Sequence, residues 1–237
     1  MKDEWRILVT EDEDPYRNMA LEESLLLSVE SGYSLGTLRF WKNRRSAIIG
    51  ISQKPEEELN LEICSKHNVS IVKRFTGGGA VYQDLGNLNW TIVCKKDTHF
   101  VREVSGVYEL YEWLCYPVVA ALRGYDLDVK FKPPTGIYLL DRKISGLAMR
   151  IKQNALLCHG TLLIHADINL LNLVLRKMKE PVTNINNYTK AKVSERDITE
   201  KIIVQVQNLF KIELIHGSIS MEEKIMQEKL TMDKYLP

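Results

Sequence analysis

The most informative segment of this chain is Lys73-Arg74-Phe75-Thr76-Gly77-Gly78-Gly79-Ala80-Val81-Tyr82-Gln83-Asp84-Leu85-Gly86-Asn87. Three consecutive glycines let the backbone adopt conformations that residues with side chains resist. They also let several N–H groups turn into one concavity, a nest that suits phosphate or carboxylate oxygens. The planar guanidinium of Arg74 matches the same oxygens. We therefore predict a ligand-binding loop, with a plain hairpin turn as the alternative interpretation.

Two well-known nucleotide-binding motifs do not fit this segment. No Gly-Lys-Ser/Thr follows the glycines, as a P-loop requires. No helix clearly begins at the glycines, as a dinucleotide fingerprint requires. The loop is therefore expected to hold an anionic ligand in some other fold.

Short apolar segments surround the loop and predict an α+β fold. Apolar spacing predicts helices over 15–29, 56–67, 101–122, 197–210 and 221–230, with Glu22 and Glu23 on the solvent side of the first and a kink or break at Pro117 in the third. Strands are predicted at 38–41, 46–50, 69–72, 88–93, 126–131, 137–140, 143–149, 156–164 and 212–215. Because short turns join most strands, we expect a mixed, mainly antiparallel sheet flanked by helices, in a single domain over 1–237.

Composition and charge disfavour several classes of protein. The 237 residues are 45% hydrophobic and 27% charged, which is typical of a globular protein and excludes wholesale disorder. Lys and Arg number 32 against 31 Asp and Glu, so nucleic acid is not expected as the main partner. No apolar run approaches the ~18 residues of a membrane span, and no signal peptide is recognised. A cytoplasmic location without membrane partners is therefore expected.

Two later segments carry further candidate chemistry. Lys143 opens a predicted strand, and its ammonium could stabilise negative charge developing on a phosphate; an exposed edge-strand lysine is the alternative. Alternation places Lys143, Ser145 and Leu147 on one face. In the next strand Cys158 and His159 are adjacent, so they should point to opposite faces and not act together as thiolate and base. A buried, hydrogen-bonded histidine is the alternative for His159.

The cysteines give no sign of a metal or redox centre. Cys64, Cys94, Cys115 and Cys158 form no Cys-x-x-Cys pair. We expect reduced, mostly buried thiols.

Taken together, these segments resemble the lipoate–protein ligase A family, within the biotin/lipoate ligase fold group. The resemblance is carried, in family order, by residues 74–82, 84–87, Lys143-Ile144-Ser145-Gly146-x-Ala148 and 159–163, with weaker matches at 18–23, 40–43, 48–53 and 182–185. Arg-x-x-Gly-Gly-Gly-Ala-Val-Tyr followed by Lys-x-Ser-Gly is a highly specific combination. A biotin ligase is disfavoured, because its usual motif places arginines between the glycines.

The resemblance implies a two-step reaction and a set of site residues. Lipoate and ATP, with Mg²⁺, first form lipoyl-AMP and pyrophosphate; the lipoyl group then passes to a lysine of an E2 lipoyl domain or a glycine-cleavage H protein. Lys143 is implied as the catalytic residue, and Arg74 as a holder of phosphate oxygens. The remainder of the implied ATP and lipoyl-AMP site is Gly77, Gly78, Gly79, Ala80, Val81, Tyr82, Asn87, Ser145, Gly146, Ala148 and His159. No metal ligands can be assigned.

Three departures from the family pattern qualify this resemblance. Gln83 stands where many members have His, which puts a direct polar contact in question. Residues 135–138 stand where many members have Arg-Asn-Asp, so no obvious residue is present there to contact a metal or adenine. The chain also leaves no room for the small accessory domain of bacterial-type ligases. We therefore expect a separate small accessory subunit to be needed for lipoate activation.

Two other functions stay open at this point. One is an ATP-independent octanoyl or lipoyl transferase that uses Cys158 as nucleophile, although neither cysteine position of the known transferase classes is matched. The other is a non-catalytic lipoyl-binding or assembly subunit. Substitution of Cys158 tests the first, and substitution of Lys143 tests the second.

Overall fold

The strands form two sheets in the computed structural model, which describes residues 3–177 and 180–236. Along the described chain the strands are β1 (Glu4–Val9), β2 (Gly36–Trp41), β3 (Ser46–Ile49), β4 (Ser70–Lys73), β5 (Val81–Gln83), β6 (Asn87–Lys95), β7 (Val129–Lys132), β8 (Gly136–Leu139), β9 (Arg142–Ile151), β10 (Ala155–Leu163) and β11 (Glu213–His216). The large sheet has the order β11-β1-β2-β6-β10-β9-β8-β7. Strand β1 lies parallel to β2 and β11, and the other neighbours are antiparallel. The predicted mixed, largely antiparallel sheet is confirmed.

The small sheet carries the glycine loop. Its order is β4-β3-β5, with β3 parallel to β4 and antiparallel to β5. The loop, residues 74–80, connects the two outer strands of this sheet. It is therefore held at both ends by strands that pair with the same central strand.

Helices cover both faces of the large sheet. They are α1 (Pro15–Glu30), α2 (Pro55–Glu58), α3 (Leu61–Lys66), α4 (His99–Arg102), α5 (Val107–Arg123), α6 (Ile168–Val174), α7 (Glu195–Phe210) and α8 (Met221–Leu230), with a 3-10 turn at Ile185–Asn187 and a π-helical turn at Thr231–Tyr235. Helices α5 and α7 pack on one face, and α1 packs on the other beneath α8. Along β10, Leu156 and Cys158 join the α5–α7 core while Leu157 joins the α1 side, as strand alternation requires.

The first helix corrects one prediction. Glu22 does not face solvent: it is fully buried, and Glu23 is half-buried against Lys234 and Tyr235. Helix α1 is covered by the sheet on one side and by α8 on the other. A helix covered on both sides has little need of a polar face, so hydrophobic periodicity did not locate its solvent side.

Three further predictions differ from the structure. The helix over 56–67 is interrupted at Leu59, which is buried and bridges Leu175, and Asn60 caps the second piece. Helix α5 continues through Pro117, and the predicted 101–122 helix is interrupted over residues 103–106 instead. Strand β1 was not predicted, and the described strands are divided between two sheets where one was expected.

No helix within residues 3–177 or 180–236 combines the length and apolarity that crossing a bilayer requires.

Candidate active site

A cavity of about 740 Å³ lies between the glycine loop and strands β9 and β10. This volume lies within the range of roughly 300–1,000 Å³ typical of small-molecule sites. The predicted site residues that line it are Arg74, Gly77, Gly78, Gly79, Ala80, Val81, Tyr82, Lys143, Ser145, Gly146, Ala148 and His159. Segments that are distant in sequence therefore meet at one place.

Asn87 is the predicted site residue that the structure does not place in the cavity lining. Its side chain is buried, and it accepts a hydrogen bond from the N–H of Asp84 at 3.3 Å and donates to the carbonyl of Tyr82 at 3.4 Å. Asn87 therefore braces the turn that follows the loop.

The Arg74 guanidinium is buried and is turned toward the loop itself. Its Nη2 donates to the carbonyls of Gly77 at 2.6 Å and Gly79 at 2.9 Å, and its Nη1 donates to the carbonyl of Ile48 at 3.0 Å. Burial lowers the pKa of Arg74 to about 10, so the group is charged at neutral pH. Within the described residues no carboxylate forms a salt bridge with it. The structure thus shows Arg74 bracing the loop; its predicted contact with phosphate oxygens stays a prediction.

This brace orients the backbone amides of the loop. In a trans peptide the C=O and the following N–H point in opposite directions. Because the carbonyls of Gly77 and Gly79 point at Arg74, the N–H groups of Gly78 and Ala80 point away from it. No acceptor in residues 3–177 or 180–236 takes either N–H. Two donors are left for a ligand, as the glycine run predicts.

Glycine is required at one position of the run in particular. Gly78 has a φ of +92°, which a residue with a side chain rarely adopts, and a Cβ there would lie 2.9 Å from Arg74 Nη2. A Cβ on Gly77 or Gly79 would meet nothing within 4 Å. The loop conformation and the Arg74 brace therefore depend on each other at Gly78.

Lys143 is fixed by its backbone and lines the same cavity. Its N–H donates to the carbonyl of Pro181 at 2.8 Å, and its own carbonyl accepts from Thr183 at 3.1 Å. Its Nζ lies 3.5 Å from Glu180 Oε2 and 5.9 Å from the centre of the Tyr138 ring. The side chain is 26% exposed, so the ammonium is reachable from the cavity. A bulge in the β8–β9 pairing next to Lys143 interrupts simple alternation, yet Lys143, Ser145 and Leu147 all line the cavity.

Tyr138 and Glu180 form a polar pair beside Lys143. The Tyr138 hydroxyl donates to Glu180 Oε2, and this bond lowers the pKa of Glu180 while burial and the same bond raise the pKa of Tyr138. Gly136 makes room for Tyr138 and Lys143: a Cβ there would lie 2.4 Å from the Tyr138 ring and 3.1 Å from Lys143 Cε. Glu180 is thus an anion that already forms an ion pair with the Lys143 ammonium.

His159 uses both ring nitrogens inside the protein. Nδ1 lies 3.1 Å from Glu22 Oε2, and Nε2 lies 2.9 Å from Thr76 Oγ1. The residue is 8% exposed, and its ring lines the cavity. Its predicted role in ligand binding is untested, and the structure assigns its hydrogen bonds to the glycine loop and α1.

Cys158 faces away from the cavity. It is fully buried in the α5–α7 core, and burial raises the pKa of its thiol well above the ordinary value. None of the four cysteines, all of which the structure describes, lines the cavity. A thiol nucleophile therefore has no place in this site.

Three buried polar atoms in the lining are unsatisfied by the protein. Tyr82 Oη, Ser145 Oγ and Asn89 Oδ1 have no hydrogen-bond partner within the described chain. Buried polar groups are usually paired. Together with the free amides of the loop, they give the cavity unused polar capacity next to apolar walls that include Trp41, Ile48 and Leu171.

The sequence did not single out four residues that shape this site: Glu22, Thr76, Tyr138 and Glu180. For Glu22 a signal was available, because this residue lies within the weakly matching segment 18–23. Glu180 gave none, because it reaches Lys143 from 37 positions away in the sequence.

Comparison with known proteins places this fold and site in one class. The chain belongs to the lipoyl protein ligase A/B catalytic domain family, whose model matches residues 14–207. Within that family it is a homologue of lipoate–protein ligase A. It is 30% identical to a probable lipoate-protein ligase A of Mycoplasma pneumoniae, covering 94% of this chain and 68% of that one. It is 28% identical to lipoate-protein ligase A subunit 1 of Thermoplasma acidophilum, covering 98% and 94%.

Solved structures agree with this assignment. A bi-partite lipoate protein ligase from Thermoplasma acidophilum, described with its E2 lipoyl domain, superposes with a TM-score of 0.88 at 27% identity, covering 98% of this chain and 93% of that one. A lipoate-protein ligase A bound with ATP superposes with a TM-score of 0.87 at 28% identity, covering 99% and 96%. A protein from T. acidophilum with bound lipoic acid gives a TM-score of 0.87 at 29% identity, covering 98% and 95%.

Proposed function

We propose that this chain is the catalytic subunit of a lipoate–protein ligase that activates lipoate with ATP and transfers the lipoyl group to a lysine of a carrier protein. One observation supports this most strongly: the ammonium of Lys143 and the unpaired N–H groups of Gly78 and Ala80 belong to the lining of one cavity. Relatives with bound ATP and with bound lipoic acid share the fold.

The first step would form the acyl adenylate. A carboxylate oxygen of lipoate attacks the α-phosphorus of ATP, and the bond from that phosphorus to the pyrophosphate oxygen breaks. Negative charge builds on the phosphoryl oxygens during this exchange. Lys143 and the two free amides are fixed donors that can offset this charge, and fixed donors contribute several kcal/mol in a site that excludes water. The buried charge of Arg74 adds to the positive potential behind the loop.

The residues present fit a magnesium ion that is held largely by phosphates. Mg²⁺ is commonly bound by one or two carboxylates together with substrate phosphates and water. Among the described residues, Glu58 and Glu180 are the carboxylates in the cavity lining, and Glu58 is paired with Lys177 at 3.0 Å. Glu180 would hold the ion, which would supply additional charge neutralisation. No cluster of three or more acidic, histidine or cysteine side chains occurs in the described chain that would form a metal site by itself.

The second step would transfer the acyl group. The amine of the acceptor lysine attacks the carbonyl carbon of lipoyl-AMP, the bond to AMP breaks, and AMP leaves. Lys143 would polarise that carbonyl. The apolar walls of the cavity, with Trp41, Ile48 and Leu171, suit the dithiolane tail and hold the reacting carbonyl near the lysine.

The proposed partners are a carrier protein and a small accessory subunit. This chain matches the first subunit of a two-part ligase over nearly the full length of both chains. A relative of the same fold has been described with an E2 lipoyl domain. We propose that an E2 lipoyl domain or an H protein is the acceptor, and that a separate accessory subunit raises the rate of adenylate formation.

The test is to incubate the purified chain with ATP, Mg²⁺ and lipoate, with and without a small accessory subunit, and to measure lipoyl-AMP by mass spectrometry. We expect adenylate with the subunit and little without it. Lys143→Ala should lower the rate by about 10²–10³-fold, the cost of losing one charge-stabilising donor. Lys130→Ala, at an exposed position of β7 outside the cavity lining, is the matched control and should retain the rate. No adenylate under either condition, or an unaffected Lys143→Ala, would contradict the proposal.

A further inference from the structure

A series of hydrogen bonds between buried side chains connects helix α1 to the glycine loop. The reaction proposed above makes no direct use of this hydrogen-bond chain. Glu22 Oε2 contacts His159 Nδ1, His159 Nε2 contacts Thr76 Oγ1, and Arg74 Nε donates to Thr76 Oγ1 at 3.0 Å. All of these side chains are buried. A buried charged group is costly unless it is paired, so a chain of this kind on the wall of a ligand cavity calls for an explanation.

We infer that Glu22 and His159 are positioning residues that fix the glycine loop through the hydroxyl of Thr76. The inference rests on the proposed function, because it assigns a purpose to the loop that the ligase reaction requires. It adds a role for two residues whose polar side-chain atoms are already hydrogen-bonded within the protein. They act through Thr76 and Arg74 on the amides of Gly78 and Ala80.

The direction of each hydrogen bond follows from what each group can donate. Burial raises the pKa of Glu22, but the hydrogen bond from His159 and the charge of Arg39 outweigh it, so the carboxyl is ionised at neutral pH. A carboxylate only accepts, so His159 Nδ1 must carry the proton. When the ring carries this single proton, Nε2 is an acceptor and takes the Thr76 hydroxyl proton. The lone pairs of Thr76 Oγ1 are left to accept from Arg74.

The opposite tautomer breaks this chain. With the proton on Nε2, the lone pair of Nδ1 would face the Glu22 carboxylate at 3.1 Å. The Thr76 hydroxyl would also lose its acceptor. Glu22 therefore selects one tautomer of His159, and that tautomer selects one orientation of Thr76.

The fixed end of the chain lies in the large sheet. Arg39 on β2, Thr91 on β6 and His159 on β10 are directly paired across neighbouring strands. Glu22 accepts from Arg39 Nη1 and from Thr91 Oγ1, each at 2.7 Å. The glycine loop belongs to the small sheet. The Glu22–His159–Thr76 chain therefore ties the loop of one sheet to the middle of the other.

The test compares two substitutions at Thr76 in the presence of the accessory subunit. Thr76→Val keeps the shape of the side chain and removes the hydroxyl, whereas Thr76→Ser keeps the hydroxyl. Thr231→Val is the matched control, since Thr231 is a buried threonine whose hydroxyl donates to the carbonyl of Gln227 at 2.7 Å, outside the cavity lining. We expect the KM for ATP in adenylate formation to rise about tenfold or more in Thr76→Val, the size of one lost buried hydrogen bond. Thr76→Ser should restore it.

A purely structural role would give a different pattern. Loss of folded protein lowers kcat at unchanged KM, and Thr231→Val reports how much a buried hydroxyl contributes to thermal stability. An unchanged KM in Thr76→Val would overturn the inference. An equal rise in KM in Thr231→Val or Thr76→Ser would overturn it as well.

A second measurement does not depend on turnover. ¹⁵N NMR of the histidine rings, with His159→Asn to assign the signal, reports which nitrogen carries the proton. We expect the Nδ1–H tautomer of His159 in the wild-type protein. The Nε2–H tautomer would refute the inferred Glu22–His159–Thr76 hydrogen bonds. If the protein makes no adenylate, the proposed function is refuted. The tautomer of His159 would still decide whether the Glu22–His159–Thr76 hydrogen bonds run as inferred.

Discussion

Replacing Gly78 by alanine perturbs the glycine loop at its least tolerant point. The φ of +92° puts this residue in the left-handed region, where a side chain costs about 1–2 kcal/mol. The added Cβ would lie 2.9 Å from Arg74 Nη2, which is held by the carbonyls of Gly77 and Gly79. Displacing that nitrogen weakens two hydrogen bonds worth about 1 kcal/mol each. The expected loss in the free energy of unfolding is therefore about 2–4 kcal/mol.

The neighbouring glycines supply the controls. Gly77 and Gly79 lack a positive φ, and a Cβ on either would meet nothing within 4 Å. Alanine at these two positions should leave the free energy of unfolding within about 1 kcal/mol of the wild type, or raise it slightly by restricting the unfolded chain.

Urea unfolding followed by tryptophan fluorescence measures all three variants, and thermal scans should show a loss of roughly 5–15 °C for Gly78→Ala. Equal stability of Gly78→Ala and the two controls would refute the argument that the loop conformation and the Arg74 brace are coupled.

Three further predictions follow from the site. Cys158→Ala should retain adenylate formation and lipoyl transfer, because the thiol lies in the α5–α7 core; loss of transfer at unchanged stability would instead indicate a thiol acyl-enzyme. Gly136→Ala should slow adenylate formation about tenfold to a hundredfold by displacing Tyr138 and Lys143, since small displacements of reacting groups are costly; a wild-type rate would show that the fit around Gly136 is not needed. Glu22 has a lowered pKa in the folded state, so its contribution to stability is present above the unfolded carboxyl pKa of about 4.3 and is lost as the pH falls through the folded value. Urea midpoints measured between pH 6 and pH 3 should therefore fall more steeply in the wild type than in Glu22→Gln, and parallel curves would contradict the assignment.

Local sequence patterns were sufficient to locate most of the site. The glycine run, the lysine strand and the histidine strand each have a local signature, and the structure brings them to one cavity. The alternation of β10 placed Cys158 and His159 on opposite faces, as the structure confirms. These predictions succeeded because each depends on a few neighbouring residues.

The features of the fold and the site that were not predicted depend on contacts between segments that are distant in the sequence. Strand β1 is a short segment placed between β2 and β11, and β11 comes from near the end of the chain. Glu22 is buried because α8 covers the outer side of α1. The role of Arg74 depends on which way the carbonyls of Gly77 and Gly79 point, and composition carries no information about that. Glu180 reaches Lys143 only because the segment around Val182 lies beside β9.

The most direct test of the proposed site is a crystal structure with a non-hydrolysable sulfamoyl analogue of lipoyl-AMP. The account predicts that the N–H groups of Gly78 and Ala80 and the Nζ of Lys143 lie about 2.7–3.2 Å from oxygens at the acyl–sulfamoyl junction. Arg74 should stay on the carbonyls of Gly77 and Gly79. A Lys143 still paired with Glu180 and remote from the analogue, or loop amides remote from its oxygens, would contradict it.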